Sequence, residues 1–400
     1  MHFGDYSIRV ADTLAPFADN WPTMAGLPCA VGAFPFQCRD HLEVWLKTIG
    51  ASTHTKPYFV EVRRRDEIVM FIPLGVAIRH GVRVLAFLDG GVSDYNAPIL
   101  FPAAAALDAQ TMSGLWRKIR SQAPPFDVAC LEKMPQKAGP LSNPFAMLGR
   151  HAWSSSGHLL RLSRDSLQKK RDADDSNRQR RRLAKIGDLR FAIASHPDEI
   201  AHIFDVFVVQ KSRRYQETLG TPGFDVPGQR DYYRQMSLGL AGRGCLLAHL
   251  NVGEEIIATA WCLTAGQVFY YMMCAYDGGE WRKYSPGRLL LEELVRWARQ
   301  AGFEIFDLGI GDENYKLHWQ QDCVSLSGGL YPATISGHAY VAALGLRKVA
   351  RATLPSQVTA ALASALYGPR KAGTRTQYGN GHKKGSASST VLGIEGQIEG

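Results

Sequence analysis

A short loop that runs into a helix carries the clearest chemical signal of the chain. Pro286 and Gly287 open an amphipathic helical pattern that follows a strand-like stretch. Proline fits the first helical turn, where its missing N–H costs nothing, and glycine lets another group approach the backbone closely. The first turn of a helix presents free N–H groups and a positive dipole end, and Arg282, Lys283 and Arg288 surround it with positive charge. The pattern predicts a phosphate-binding site.

Ionisable side chains follow this helix, around the end of the next predicted strand. Lys316 and His318 lie in a short helix that follows a strand containing Asp307. Burying a lysine beside a strand end is costly without a charged partner, and a histidine exchanges protons near neutral pH. Asp277 closes the strand before the phosphate helix, where it is either a base or a loop cap. Each residue also has a structural interpretation: an exposed helical lysine, a packed histidine or a partner of a neighbouring charge.

Two halves with the same order of elements are expected to position these residues. The first half shows strand patterns at 6–10, 58–63, 67–77, 82–88, 97–101 and 126–132, and helical patterns at 39–49 and 104–121. The second half shows strand patterns at 189–194, 245–251, 256–264, 267–277, 304–309 and 324–331, and helical patterns at 197–213, 229–241, 287–301 and 314–320. The predicted fold class is α/β, with mixed sheets in two units that repeat an order but not a sequence.

A basic segment separates the halves. We expect an N-terminal domain at 1–155, a basic helical connector at 156–188, a C-terminal domain at 189–335, a helical extension at 336–368 and a disordered tail at 369–400. The connector carries the run Arg178-Gln-Arg-Arg-Arg182, with a thin apolar stripe of Leu167, Leu183 and Ile186. It is interpreted as a helix that contacts the body lightly. Its charge is that of a solvated linker or of a surface for phosphate or RNA.

Composition restricts the class of protein. The chain has 400 residues, 46% of them hydrophobic, which is enough for about two domains. Its net charge of +9 favours anionic partners or serves solubility. Seven scattered cysteines with no CxxC pair argue against a zinc site and a disulfide framework. With no apolar run of transmembrane length and no secretion signal, the sequence predicts a cytoplasmic protein without metal.

The stretch from the loop to the next strand resembles a nucleotide-binding motif of the GNAT acyltransferases. That motif is a strand, a glycine-containing loop, a helix and a second strand, and here it reads YDGGEWRKYSPGRLLLEELVRWARQAGFEIFDL. The resemblance implies a tandem GNAT-like fold, and acyl-CoA, such as acetyl-CoA, as co-substrate. By position, the pyrophosphate of CoA would lie on Tyr284, Ser285, Pro286, Gly287, Arg288 and Leu289, beside Arg282 and Lys283.

A further stretch, DLGIGDENYKLHW from Asp307 to Trp319, is similar to a subgroup of that family. These are the GNAT proteins of cellulose and exopolysaccharide loci, the CelD/BcsL type, and the related FemAB aminoacyltransferases. The likeness extends over about residues 1–335 and includes Asp94, Tyr95 and Asn96, which it places in the acceptor cleft; a turn is the alternative.

The same resemblance gives the ionisable residues their roles in acyl transfer. Such a reaction needs a base for the acceptor, donors for the oxyanion, and a proton or positive field for the thiolate. Lys316 is the first candidate, because FemAB enzymes carry a lysine in the corresponding motif. Tyr315 is a candidate oxyanion donor, and His318, Asp307 and Asp277 are candidate bases.

Three functions follow. The first is an acyl-CoA-dependent acyltransferase acting on a sugar or amine in cell-envelope polysaccharide synthesis. The second is an aminoacyl-tRNA-dependent transferase that uses the basic connector to contact RNA. The third is an inactive scaffold subunit of a polysaccharide synthase. Two departures from the motif favour it: Tyr284 stands where Arg or Gln is usual, and Trp319 stands where many GNAT enzymes carry a tyrosine that acts as the general acid.

Overall fold

The computed structural model describes residues 5–149, 151–162, 170–311 and 313–353. Its first half contains strands β1 (Tyr6–Ala11), β2 (Lys56–Arg64), β3 (Glu67–Arg79), β4 (Val82–Phe87), β5 (Ile99–Leu100), β6 (Val128–Pro135), β7 (Lys137–Ala138), β8 (Leu141–Ser142) and β9 (His151–Ala152). Two helices accompany them, α1 (Arg39–Trp45) and α2 (Ala109–Gln122).

The second half contains the remaining elements. Its strands are β10 (Gly157–Arg161), β11 (Leu189–Ile193), β12 (Cys245–Val252), β13 (Glu255–Ala265), β14 (Val268–Tyr276), β15 (Ile305–Ile310), β16 (Asp322–Val324) and β17 (Leu326–Pro332). Its helices are α3 (Lys170–Leu183), α4 (Pro197–Leu219), α5 (Gln229–Gly239), α6 (Pro286–Gln300), α7 (Asn314–Trp319) and α8 (Ile335–Thr353). The predicted tail at 369–400 lies outside the described residues.

Most elements follow the predicted patterns, and one shift has a local cause. The helix expected from residue 104 begins at Ala109, because the Asp108 carboxylate accepts the Thr111 N–H at 2.7 Å and caps the helix there. Pro102–Ala106 forms a separate 3₁₀ turn.

The two large sheets repeat one topology. In the first, β1-β2-β3-β4 form an antiparallel series and β6 joins β4 in parallel. In the second, β11-β12-β13-β14 form the same series and β15 joins β14 in parallel. Along the chain, a helix stands between the two parallel strands in each half: α2 in the first half and α6 in the second. This repetition confirms the mixed α/β fold with two related units.

Each sheet contains a strand from outside its own predicted domain. Strand β10 lies within the predicted connector, yet it pairs with β15 and β16 in the second sheet. Strand β17 lies within the predicted C-terminal domain, yet it pairs with β6 in the first sheet. The structure therefore differs from a linear division of the chain, because the pairing partners of both strands are remote in sequence.

The largest core cluster lies between the halves. It joins Trp21, Phe36 and Trp45 of the first half to Phe207 and Trp261 of the second. Two further clusters fill the space between the first sheet and α2 and between the second sheet and α6. The halves are thus bound by a shared apolar core as well as by the exchanged strands.

None of the helices in the described ranges combines the length and the apolar character needed to cross a membrane.

We predict that Gly157→Ala destabilises the protein through the contact between the halves. A Cβ atom at Gly157 in β10 would lie 2.1 Å from the hydroxyl of Tyr95, so the ring of Tyr95 would have to move. The free energy of unfolding should fall by about 1–3 kcal/mol, the usual cost of overpacking. Urea denaturation measures the change.

The matched control is Gly239→Ala at the end of α5, where an added Cβ meets no atom within 4 Å. It should leave stability unchanged or raise it by up to about 1 kcal/mol. Equal effects of the two substitutions would contradict the proposed crowding at Gly157.

Candidate active site

Two parallel strands separate and leave a cavity between them. Strands β14 and β15 pair only from Val268 opposite Ile305 to Tyr270 opposite Asp307. Beyond that point they diverge, and a cavity of about 870 Å³ is lined by residues 271–274 of β14 and 308–311 on the β15 side. No strand within the described ranges pairs with the two facing edges. On the β14 side, the edge along residues 271–273 is therefore available to an extended ligand.

The N-terminus of α6 opens into the same cavity. Ser285 precedes the helix with a φ of 55°, Pro286 occupies the first turn, and residues 285–288 line the cavity. A Cβ atom at Gly287 would lie 3.1 Å from the ring of Tyr276, so glycine allows the helix end to lie close against β14. The positive helix end thus faces the opening between the strands.

Helix α3 is bound tightly to α6. Arg180 contacts Glu292 at 2.8 Å and Glu293 at 2.7 Å, and Asp175 forms an ion pair with Arg288. Leu183 is fully buried. The predicted light contact of this helix is therefore wrong in its described part; Leu167 lies outside the described residues.

Positive charge also comes from α4, a predicted helix whose basic residues the sequence analysis did not assign to the site. Lys211 and Arg214 line the cavity, and Lys211 donates to the carbonyl of Cys274 at 3.5 Å. The neighbouring Arg213 binds the Asp277 carboxylate at 2.8 Å and the carbonyl of Tyr276 at 2.8 Å. The run of basic residues at 211–214 was the available signal, but its partners on β14 are remote in sequence.

A buried lysine and a buried carboxylate meet at the end of β15. Lys316 is 4% exposed, and its Nζ donates to the carbonyl of Ile310 at 2.6 Å and lies 3.0 Å from Glu313. The Asp94 carboxylate accepts the N–H of Ile310 at 3.2 Å. Burial raises the pKa of Asp94, against the opposing effect of the Lys316 and Lys133 charges. Both side chains line the cavity.

Asp307 lies beneath this pair at the point where the strands separate. Its Oδ1 accepts the Tyr95 hydroxyl at 3.0 Å and the N–H of Gly309 at 2.7 Å. Burial raises the pKa of Asp307 to about 7, with a further contribution from the Asp94 charge. Asp307 and Tyr95 do not line the cavity. They lie behind its inner end and fix the backbone there.

An ion pair in the first half fixes the loop that carries Asp94. Lys133 lies 2.8 Å from the carboxylate of Asp89 and donates to the carbonyl of Ser93 at 2.8 Å. Asn96 donates to Asp89 at 3.1 Å and to the carbonyl of Glu132. The sequence analysis missed Lys133, although a lysine in the apolar strand β6 is an unusual residue.

The other predicted residues divide into two groups. Arg282, Tyr315 and His318 line the cavity together with Asp94, Lys316 and the start of α6. Those that do not line it are Asn96, Asp277, Lys283, Tyr284 and Leu289. Of these, Leu289 is fully buried in the core beneath α6, and the ring of Tyr284 packs on Trp281 and under the guanidinium of Arg182.

Comparison with known proteins agrees with this geometry. Residues 169–317 match the family model of the acetyltransferase (GNAT) domain. No curated protein matches the chain. Among solved structures, FemX superposes with a TM-score of 0.50 at 10% identity, over 81% of this chain and 95% of that chain. L-PGS from Bacillus licheniformis gives 0.47 at 12% identity, over 83% and 98%. A tandem GNAT protein from the clavulanic acid biosynthesis pathway gives 0.43 at 15% identity, over 82% and 99%.

The separated strands, the helix that opens onto them and the matched domain define the class of protein. The chain has the GNAT fold, and it is an acyltransferase whose acetyltransferase domain covers residues 169–317.

We predict that Asp307→Asn flattens the dependence of stability on pH. The pKa of Asp307 is about 7 in the folded protein and about 3.9 in an unfolded chain. A raised acid pKa means that the folded state binds the proton more tightly, so this residue reduces stability as pH rises between these values. The amide can still accept from Tyr95 and Gly309 through its oxygen but cannot ionise.

Urea denaturation of both proteins between pH 4 and pH 8 measures the effect. The wild-type protein should lose stability relative to the variant as pH rises. Parallel curves would show that Asp307 does not titrate in this range.

Proposed function

We propose that the protein transfers an acyl group from acyl-CoA to an amine or hydroxyl of a sugar in cell-envelope polysaccharide synthesis, as a cytoplasmic enzyme of the CelD/BcsL type. The observation that carries the proposal is the common opening of α6 and of the separated β14 and β15 into one cavity. The likeness of the stretch from Asp307 to Trp319 to that subgroup supports the choice of acceptor.

The donor fits the two ends of this opening. Its phosphates would lie at the α6 N-terminus, where Arg282 and Arg288 line the cavity beside Gly287. Its amide-containing arm would run along β14, hydrogen bonded to the edge that is free of strand partners. The thioester would then lie towards residues 271–273, near Asp94 and Lys316, which line the same cavity.

The chemistry follows from the residues at the inner end. The acceptor attacks the thioester carbonyl, and Asp94 takes the proton that the acceptor loses; its raised pKa makes it a stronger base than an exposed aspartate. The ammonium of Lys316 stabilises the tetrahedral oxyanion. The C–S bond then breaks and CoA leaves as the thiolate, to which Tyr315, which also lines the cavity, donates a hydrogen bond.

The aminoacyl-tRNA alternative depends on the arginines of α3. Three of them have partners within the protein: Arg178 binds Asp175, Arg180 binds Glu292 and Glu293, and Arg182 packs on Tyr284. These contacts favour a role of α3 in supporting α6 over a role in binding RNA. An RNA-binding surface would instead give tRNA binding that weakens steeply with salt.

We predict that Gly287→Glu weakens the binding of acetyl-CoA by at least tenfold. The new carboxylate would lie at the α6 N-terminus, where it would repel phosphate and crowd the ring of Tyr276. Isothermal titration should give micromolar affinity for the wild-type protein and at least tenfold weaker binding for the variant.

The control is Gly239→Glu, the same substitution at a site with free space outside the cavity. It should bind acetyl-CoA like the wild-type protein. Folded wild-type protein that does not bind acetyl-CoA would overturn the donor assignment and favour the tRNA-dependent or scaffold alternative.

We predict that Asp94→Asn lowers kcat by about 10²–10⁴-fold, the usual contribution of a general base. The affinity for acetyl-CoA should not change, because Asp94 lies at the inner end of the cavity. Release of CoA with glucosamine and its oligomers as acceptors measures the rate, and the exposed Asp198→Asn in α4 is the control. A rate within a fewfold of wild type would exclude Asp94 as the base.

A further inference from the structure

The inner end of the cavity has an apolar wall that acetyl transfer does not require. Side chains from both halves form this apolar chamber: Val92, Trp153, Phe224, Val226, Met272 and Met273. All six line the cavity and belong to, or pack against, the core cluster between the halves. The cavity volume of about 870 Å³ is near the upper end of the range of about 300–1,000 Å³ for small-molecule sites.

A bulge in β14 turns two methionines towards the chamber. Trp261 of β13 faces Met273, and the next residue, Cys262, faces Tyr271, so Met272 is the extra residue. In a regular strand, two successive side chains point to opposite faces, but here both methionines pack against the same core cluster. Unbranched thioether side chains adapt to irregular apolar ligands.

The loop between α4 and α5 closes the chamber with a fixed conformation. Gly223 and Phe224 have φ values of 71° and 56°. A Cβ atom at Gly223 would lie 1.9 Å from the Tyr215 ring, so the loop lies directly on α4. The Tyr215 hydroxyl donates to the sulfur of Met273 at 3.9 Å, and the rings of Phe224 and Tyr233 lie edge to face at 5.8 Å. The chamber is therefore preformed.

We propose that the chamber holds the hydrocarbon chain of the donor, so that the preferred acyl group has a medium or long chain rather than two carbons. This inference rests on the proposed function. The donor's arm would run along β14 from Tyr276, beside Gly287, towards Tyr271, and the methionines lie on that path. A chain that continues beyond the thioester carbonyl enters the chamber and leaves water, which is favourable for each methylene that it buries.

Isothermal titration of acetyl-, butanoyl-, octanoyl- and dodecanoyl-CoA, below their micelle concentrations, tests the proposal. Affinity should rise by roughly threefold to fourfold for each buried methylene until the chamber is full. Octanoyl-CoA has six more methylenes than acetyl-CoA, and with all six buried it should bind on the order of a thousandfold more tightly.

Variants that fill the chamber locate the effect. Val226→Phe and Val226→Trp should remove an increasing share of the gain for octanoyl-CoA while leaving the affinity for acetyl-CoA unchanged, which also shows that the variants fold. The control, Leu238→Trp, places the same bulk on a residue of α5 that is 41% exposed, and it should keep the full gain.

The outcomes separate this inference from the proposed function. Equal binding of all four donors would overturn the chain assignment, leave acyl-CoA as donor and give the chamber to an apolar acceptor. A gain that survives in both chamber variants would also overturn it. If none of the donors binds, both the proposed function and the inference fail.

Discussion

The hydrogen bond between Tyr95 and Asp307 fixes the point on which the cavity depends. The pairing of β14 with β15 ends at Asp307, and its buried carboxyl group accepts the Tyr95 hydroxyl at 3.0 Å. A hydrogen bond in such a dry environment is costly to lose, because the Tyr95 hydroxyl would remain buried without this partner. It therefore holds the first half against the end of β15. Asp94, which precedes Tyr95, is brought by the same contact to the N–H of Ile310.

The pairing of β10 and β17 with sheets outside their predicted domains holds the contact between Tyr95 and Asp307 in place. Gly157 of β10 lies opposite Ile310 and leaves room for the Tyr95 ring, so the exchanged strand and the contact between halves occupy the same place. Strand β17 ties the other end of the second half to the first sheet. A cavity between two loosely joined domains would change shape as they move, whereas here β10 of the predicted connector pairs within the second sheet and β17 pairs within the first. The relative position of Asp94 and Lys316 is therefore built into the topology.

Local signals in the sequence predicted most of the elements, although strand β10 lies within the predicted helical connector. They could not predict which strands pair when the partners are remote in sequence. Helix α6 and the series β12-β13-β14 could be predicted, because periodicity, turns and the Pro286-Gly287 start act within a few residues. The hydrophobic patterns of β10 and β17 would be the same in either sheet, so the local sequence does not show which sheet each strand joins. For the same reason the residues of α6 and α7 were identified from consecutive sequence, whereas Lys211 and Lys133, which reach the site from other elements, were missed.

The cavity is lined by positive charge at two places. Arg282, Arg288, Lys211 and Arg214 contribute positive charge to its lining, and at the inner end Lys316 is compensated by Glu313 and by the carbonyl of Ile310. A buried ammonium without such partners would be costly, and with them it is held in place before any substrate arrives. A fixed ammonium does not have to reorganise when negative charge develops on a reacting carbonyl oxygen. It therefore stabilises that charge more than a mobile ammonium would. In the proposed acyl transfer, the ion pair that stabilises buried Lys316 in the fold would thus also hold its ammonium beside the reacting carbonyl.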